Sequence, residues 1–137
     1  MLKNAKRIVI KIGSSTLVDE ASGALRKAWL DDFVADIAKL HAEKKDIIIV
    51  TSGAVALGRA QLRLQAESLA LEEKQAAAAC GQIALIASWR AAFAKHKIAA
   101  AQLLLTADDS IERRRYLNAR NTLDTLLELG AIPVINE

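Results

Sequence analysis

A chain of 137 residues suffices for one compact domain with one hydrophobic core, and a polypeptide of this size can bury about two thirds of its unfolded surface. Its 53% hydrophobic share and mixed charges argue against disorder, which needs low hydrophobicity or a large net charge. A net charge of +3, with basic residues scattered among acidic ones, argues against a nucleic-acid-binding stripe, and the single cysteine, Cys80, rules out an intramolecular disulfide.

No leader-like apolar segment precedes the first strand signal, and no apolar stretch approaches the ~20 residues needed to cross a bilayer. The nearest, Gln75 to Ala87, is Ala-rich and interrupted by Gly81 and Gln82. A cytoplasmic protein with no membrane association is the expectation.

In chain order, Arg7 to Ile12 is a β-branched run followed by Gly13-Ser14-Ser15, the pattern of a buried strand ending in a turn. Trp29, Leu30, Phe33, Val34, Ile37 and Leu40 then recur at helical spacing, with Asp31, Asp32, Asp36 and Lys39 largely on the other side. A second strand is expected from Ile47 to Val50, followed by Ser52-Gly53. Helices follow from Gly53 to about Leu62 and from Leu71 to Lys95, then a strand near Ala99 to Leu105 and a helix from Ser110 to Leu129. Gly130 is placed to cap that helix, and Ile132-Pro133-Val134-Ile135 reads as a fourth strand. Pro133 cannot donate to a ladder, which favours an edge or a strand start and leaves the strand's place in the sheet open.

Strands separated by helical segments imply parallel pairing through crossovers, so the expected class is α/β: a three-layer αβα arrangement with a mainly parallel sheet. Ligands of such sheets collect beyond the carboxyl ends of the strands. Gly13-Ser14-Ser15, Ser52-Gly53-Ala54, Thr106-Ala107-Asp108 and Asn136-Glu137 are therefore expected along one edge.

Two of these turns carry chemistry. Lys11 interrupts an apolar strand just before Gly13, so its ammonium would reach the rim where a glycine lets a phosphate approach the backbone. A lysine whose stem packs on the sheet while its head reaches water fits the same residues. Lys-x-Gly-Ser-Ser lacks the spacing of a P-loop. Ser52 is a candidate N-cap, and the helix after it would aim the N–H groups of Gly53 and Ala54 at an anion. A purely structural cap also explains it. Together the turns would set a positive charge beside an anion-accepting helix terminus, as phosphoryl transfer to an anionic acceptor requires.

Other groups receive plainer readings. Arg113-Arg114-Arg115, after Asp108, Asp109 and Glu112, reads as a solvated helix face. His41 and His96 fall near predicted helix C-termini, where a cation is favoured, and neither has a metal-ligand companion at suitable spacing; no metal site is expected. Cys80 follows Ala76 to Ala79 and precedes Gly81, a small-residue stripe suited to close helix packing and core burial.

Val9-Ile10-Lys11-Ile12-Gly13-Ser14-Ser15-Thr16, Val50-Thr51-Ser52-Gly53-Ala54-Val55-Ala56-Leu57-Gly58, Gln102-Leu103-Leu104-Leu105-Thr106, Arg115-Tyr116-Leu117-Asn118-Ala119-Arg120-Asn121-Thr122-Leu123 and Pro133-Val134-Ile135-Asn136-Glu137, in that order, resemble the glutamate 5-kinases of the amino acid kinase family. The resemblance implies ATP-dependent phosphorylation of the side-chain carboxylate of L-glutamate to glutamyl 5-phosphate, the first step of proline biosynthesis, with Mg²⁺ carried by the nucleotide. It implies that Lys11 neutralises the transferring phosphoryl group, that Gly13 and Ser14 contact the phosphates, and that Ser52, Gly53, Ala54 and Asn136 hold the amino acid. Arg120 would support that pocket or a feedback site for proline.

The resemblance further implies that residues 1–137 form an incomplete amino acid kinase domain, the phosphoryl-acceptor half without the nucleotide half. An isolated chain of this kind is expected to be inactive, and the complete protein to be a homo-oligomer. The alternatives are a non-catalytic association module, a split subunit completed by a partner chain, or another member of the amino acid kinase family.

Overall fold

The computed structural model describes residues 2–105 and 112–137. Thr106-Ala107-Asp108 and the expected helix start at Ser110 lie outside the described residues. After a 3-10 turn at Leu2–Asn4, β1 (Arg7–Ile12) leads to the one-turn helix α1 (Ser14–Leu17) and then to α2 (Lys27–Ala42). β2 (Asp46–Thr51), α3 (Ala54–Gln61), α4 (Leu71–Ala94), β3 (Ala100–Leu103), α5 (Arg113–Glu128) and β4 (Ile132–Asn136) follow. The expected elements are present; α1 was not anticipated, because Gly13-Ser14-Ser15 reads as a turn and one helical turn leaves no periodicity to detect.

The sheet is parallel throughout, in the order β1-β2-β4-β3. Register pairs Ile8 with Ile47 and Ile12 with Thr51, and then Thr51 with Asn136. Alternation along each strand puts Ile8, Ile12, Ile47, Ile49, Ile132 and Val134 on one face, where they meet Leu30, Val34 and Ile37 of α2 and Leu85, Trp89 and Phe93 of α4. Phe33 stands edge-on to Trp89 at 6.0 Å, and the Trp89 indole N–H donates to the Thr51 hydroxyl at 3.1 Å, which gives the buried ring a polar partner. The opposite face is covered more thinly. There α5 buries Leu127, while Val9 of β1 remains 59% exposed.

Pro133 resolves as a strand start and not as an edge, for β4 lies between β2 and β3. Ile132 N–H bonds Ala99 on the β3 side and Glu137 N–H bonds Thr51 on the β2 side, so alternation turns the Pro133 nitrogen toward β2. Pairing with β2 begins only at Val134, so the missing donor falls before that ladder starts.

Gly130 (φ +80) ends α5 as expected: its N–H bonds Leu127 O (3.1 Å) and the Ala131 N–H bonds Leu126 O (2.9 Å), the paired bonds of a Schellman turn. His41 Nε2 donates to the Gly130 carbonyl at 2.8 Å, tying the end of α2 to that turn. Helices α3 and α4 meet with almost no side chain between them. A Cβ on Gly58 would strike the Ala77 carbonyl, and one on Gly81 the Ala54 carbonyl, both well inside contact distance. The small-residue stripe is thus a packing device, although Cys80 is half-buried rather than in the core.

Helix α4 runs unbroken through Gly81 and Gln82, as the helix expected from Leu71 to Lys95 requires, and it corrects the expectation that no apolar stretch approaches bilayer length. Its length and a mean hydropathy of 1.2 would suit a bilayer span, yet Leu85, Trp89 and Phe93 are enclosed against the sheet. Arg113, Arg114 and Arg115 are exposed on the first turn of α5, where Arg115 pairs with Glu112 at 3.2 Å.

Candidate active site

The carboxyl ends of β1, β2 and β4 open on one cavity of about 700 Å³, lined by Ser14, Ser52, Gly53, Ala54 and Asn136 together with Glu20, Arg59 and Glu137. Parallel strands deliver these groups together because each ends at the same edge and is followed by a small or polar residue. The Ser52 N–H bonds Ile12 O at 3.1 Å, which extends the β1–β2 ladder one residue past Thr51.

That bond alters the expected cap. The residue capping α3 is Gly53, at φ +118, and not Ser52, and no side-chain oxygen closes the helix start. A Cβ on Gly53 would lie 3.3 Å from Val18, so both conformation and space favour glycine there. The first intrahelical bond in this turn is Leu57 N–H to Gly53 O (3.0 Å), which leaves the N–H groups of Ala54, Val55 and Ala56 without partners among the described residues. The Ser52 hydroxyl is free of a capping duty beside them.

Lys11 projects from the opposite sheet face to Thr51 and Asn136, since Ile12 and not Lys11 pairs in register with Thr51. Its ammonium reaches the same rim, 3.0 Å from one Glu137 oxygen and 3.1 Å from the other. Glu137 also lines the cavity, so it bridges Lys11 to the pocket holding Ser52. Gly13 has ordinary φ, and a Cβ built on it would meet no heavy atom within 4 Å. The backbone there faces open space. Asn136 Oδ1 is enclosed and has no hydrogen-bond partner among the described residues.

Arg120 lies elsewhere. It lines a separate hollow with Arg7, Asp46, Tyr116 and Asp124, where its Nε is 4.0 Å from Asp124 and Arg7 joins Asp46 to Asp124. Arg7 and Asp46 begin their strands, so this hollow belongs to the amino edge of the sheet and the pocket to the carboxyl edge.

A model of the amino acid kinase family matches residues 6–137. The chain belongs to that family. Within the amino acid kinase family it is 59% identical over 136 residues to the glutamate 5-kinase of Paramagnetospirillum magneticum, covering 99% of this chain and 36% of the relative. It is 58% identical over 129 residues to that of Rhodospirillum rubrum, covering 94% of this chain and 34% of the relative. The chain thus spans about a third of the length of the curated relatives it matches. Among solved structures, the isopentenyl phosphate kinase of T. acidophilum superposes with a TM-score of 0.61 at 13% identity, covering 96% of this chain and 54% of that one, a likeness of fold.

For this amino acid kinase family member, sequence reasoning missed Glu20, Arg59 and the bridging role of Glu137. Arg59 falls four residues after Val55 and three after Ala56, so helical spacing from the Gly53 turn could have pointed to it. Its guanidinium donates to the carbonyls of Leu64 (3.2 Å) and Ala66, which makes it a clamp on the chain leaving α3. Glu20 reaches the cavity only through docking of its turn, and no local pattern marks it.

Proposed function

We propose that the chain supplies the phosphoryl-acceptor half of a glutamate 5-kinase, which phosphorylates the side-chain carboxylate of L-glutamate to glutamyl 5-phosphate and opens proline biosynthesis. The observation that carries this reading is the meeting of Ser52, Gly53, Ala54 and Asn136 in one cavity whose rim also holds Lys11 through Glu137. The relatives named glutamate 5-kinase support the choice of acceptor.

Bound ATP would supply the γ-phosphoryl group, with Mg²⁺ carried on its phosphate oxygens. The residues present suit the phosphates: the open space over Gly13 leaves the backbone beside Ser14 accessible, and the Lys11 ammonium stands at the same rim. Lys11 would offset the charge of the transferring group, while Gly13 and Ser14 contact the phosphates. Ser52 with its hydroxyl, Gly53 by its open turn and Ala54 with the first of the helix's free N–H groups would hold the amino acid, and Asn136 would close its pocket. A carboxylate oxygen of the acceptor forms the new P–O bond as the bond to the leaving ADP breaks. The protein's work is positioning two anions and offsetting their repulsion, so no covalent enzyme intermediate is required. Cytoplasmic location, proline feedback and a homo-oligomeric complete protein belong to the same proposal.

The test is hydroxamate formation by the purified chain with ATP, Mg²⁺, L-glutamate and hydroxylamine. No turnover is expected from the chain alone, together with a glutamate-dependent rise in Tm. Robust ATP-dependent hydroxamate formation would overturn the half-site reading, and absence of any glutamate response would overturn the acceptor role. A second reading, a non-catalytic association module, draws on exposed apolar side chains such as Ile83 and Leu104. Concentration-dependent stabilisation without a ligand response would favour it.

A further inference from the structure

Phosphoryl transfer leaves one wall of the cavity unexplained. Glu20 lines that wall from a turn whose ends, Val18 and Leu25, form an antiparallel bridge. The turn is internally bonded: Asp19 N–H to Ala24 O at 2.8 Å, Gly23 N–H to Asp19 O at 2.7 Å, and Ala21 N–H to the Asp19 carboxylate at 3.0 Å. Gly23, at φ +69, seats it on α3 so closely that a Cβ would collide with the Ala60 methyl. Glu20 is therefore carried on a shaped turn docked to the helix whose first turn lines the cavity.

The other charged groups lining the cavity have partners. Arg59 donates to two backbone carbonyls, and Glu137 is paired with Lys11. Among the described residues, no ion pair or hydrogen bond engages the Glu20 carboxylate. Among the described residues, the N–H groups of Ala54, Val55 and Ala56 are donors without acceptors. One cavity thus offers unpaired donors to an anion and an unpaired carboxylate to a cation. A ligand carrying both charges, a zwitterion, complements it.

We infer that Glu20 is a specificity-determining residue that receives the α-ammonium of the amino-acid substrate, so that the pocket selects amino dicarboxylates over dicarboxylates lacking the amine. The inference rests on the acceptor role proposed above and assigns the ammonium end of that ligand. Discrimination comes from the ion pair with the Glu20 carboxylate, which only a ligand bearing the amine can form.

Calorimetric titration of the chain with L-glutamate and with glutarate, for wild type and Glu20→Gln, tests it. Wild type is expected to prefer glutamate by about tenfold or more, the scale of one charge-assisted hydrogen bond. Glu20→Gln, on an exposed turn, should lose most of that preference while its affinity for glutarate holds. Glutamate binding with an undiminished preference in Glu20→Gln overturns this inference alone. Binding of neither ligand by wild type overturns it together with the acceptor role.

Discussion

Lys11 and Glu137 are 66% and 53% exposed, so the bond between them is screened by water and contributes about 0–1 kcal/mol to folding. Lys11→Met is therefore expected to change thermal stability by less than about 1 kcal/mol. The same substitution should abolish stabilisation by added tripolyphosphate–Mg²⁺, the part of a nucleotide that this rim would meet, read as a lost Tm shift; a full response in the variant would remove Lys11 from the phosphate site. At this scale the sequence anticipated that Ser52, Gly53, Ala54 and Asn136 meet at one sheet edge with Lys11 beside them, because strand ends and small residues are local signals. It misassigned the cap, because the bond from Ser52 to Ile12 is a pairing between distant segments that shifts the helix start by one residue. Glu20 was illegible for the same kind of reason: only the docking of Gly23 on α3 brings it to the cavity.

Among the elements, α3 and α4 matter most to the site, since Gly81 of α4 abuts the carbonyl of Ala54, which lines the pocket. Gly81→Ala must push the helices apart at that point. Overpacking of this kind costs about 1–3 kcal/mol. Chemical denaturation should register that loss, and calorimetry should register weaker glutamate binding, because the displaced residue carries one of the helix's free N–H groups. An unchanged midpoint and affinity would mean that the helices yield without moving the cavity. The Ala-rich stripe made this packing readable in advance, since small residues at successive helical turns have few other uses. The position of Pro133 was not readable, because a proline at the first residues of a central strand and a proline at an edge obey the same local rule; only the onset of pairing at Val134 separates them.

At the scale of the molecule, the alternation of strands and helices specified the α/β class and the parallel sheet, whereas the balance of its layers came from long-range packing. The face under α2 and α4 holds the continuous core, whereas on the other side Val9 of β1 and Tyr116 and Leu117 of α5 are open to solvent at 59%, 50% and 40%. Ile83 on α4 and Leu104 after β3 are more exposed still. Apolar surface of this kind favours association. Sedimentation of the chain at increasing concentration is expected to reveal species larger than a monomer, and a monomer throughout would count against both the association module and a self-assembling complete protein.

Glu137 lines the pocket while both oxygens of its carboxylate stand on the Lys11 ammonium, at 3.0 and 3.1 Å. A phosphate arriving at that ammonium has a rival already seated, so its entry is an exchange of counter-ions. Both contestants stand in water, where added salt screens charges beyond about 8 Å at physiological strength. Anion binding at this rim would thereby be tied to the ionic composition of its surroundings, through one side chain just past the end of β4.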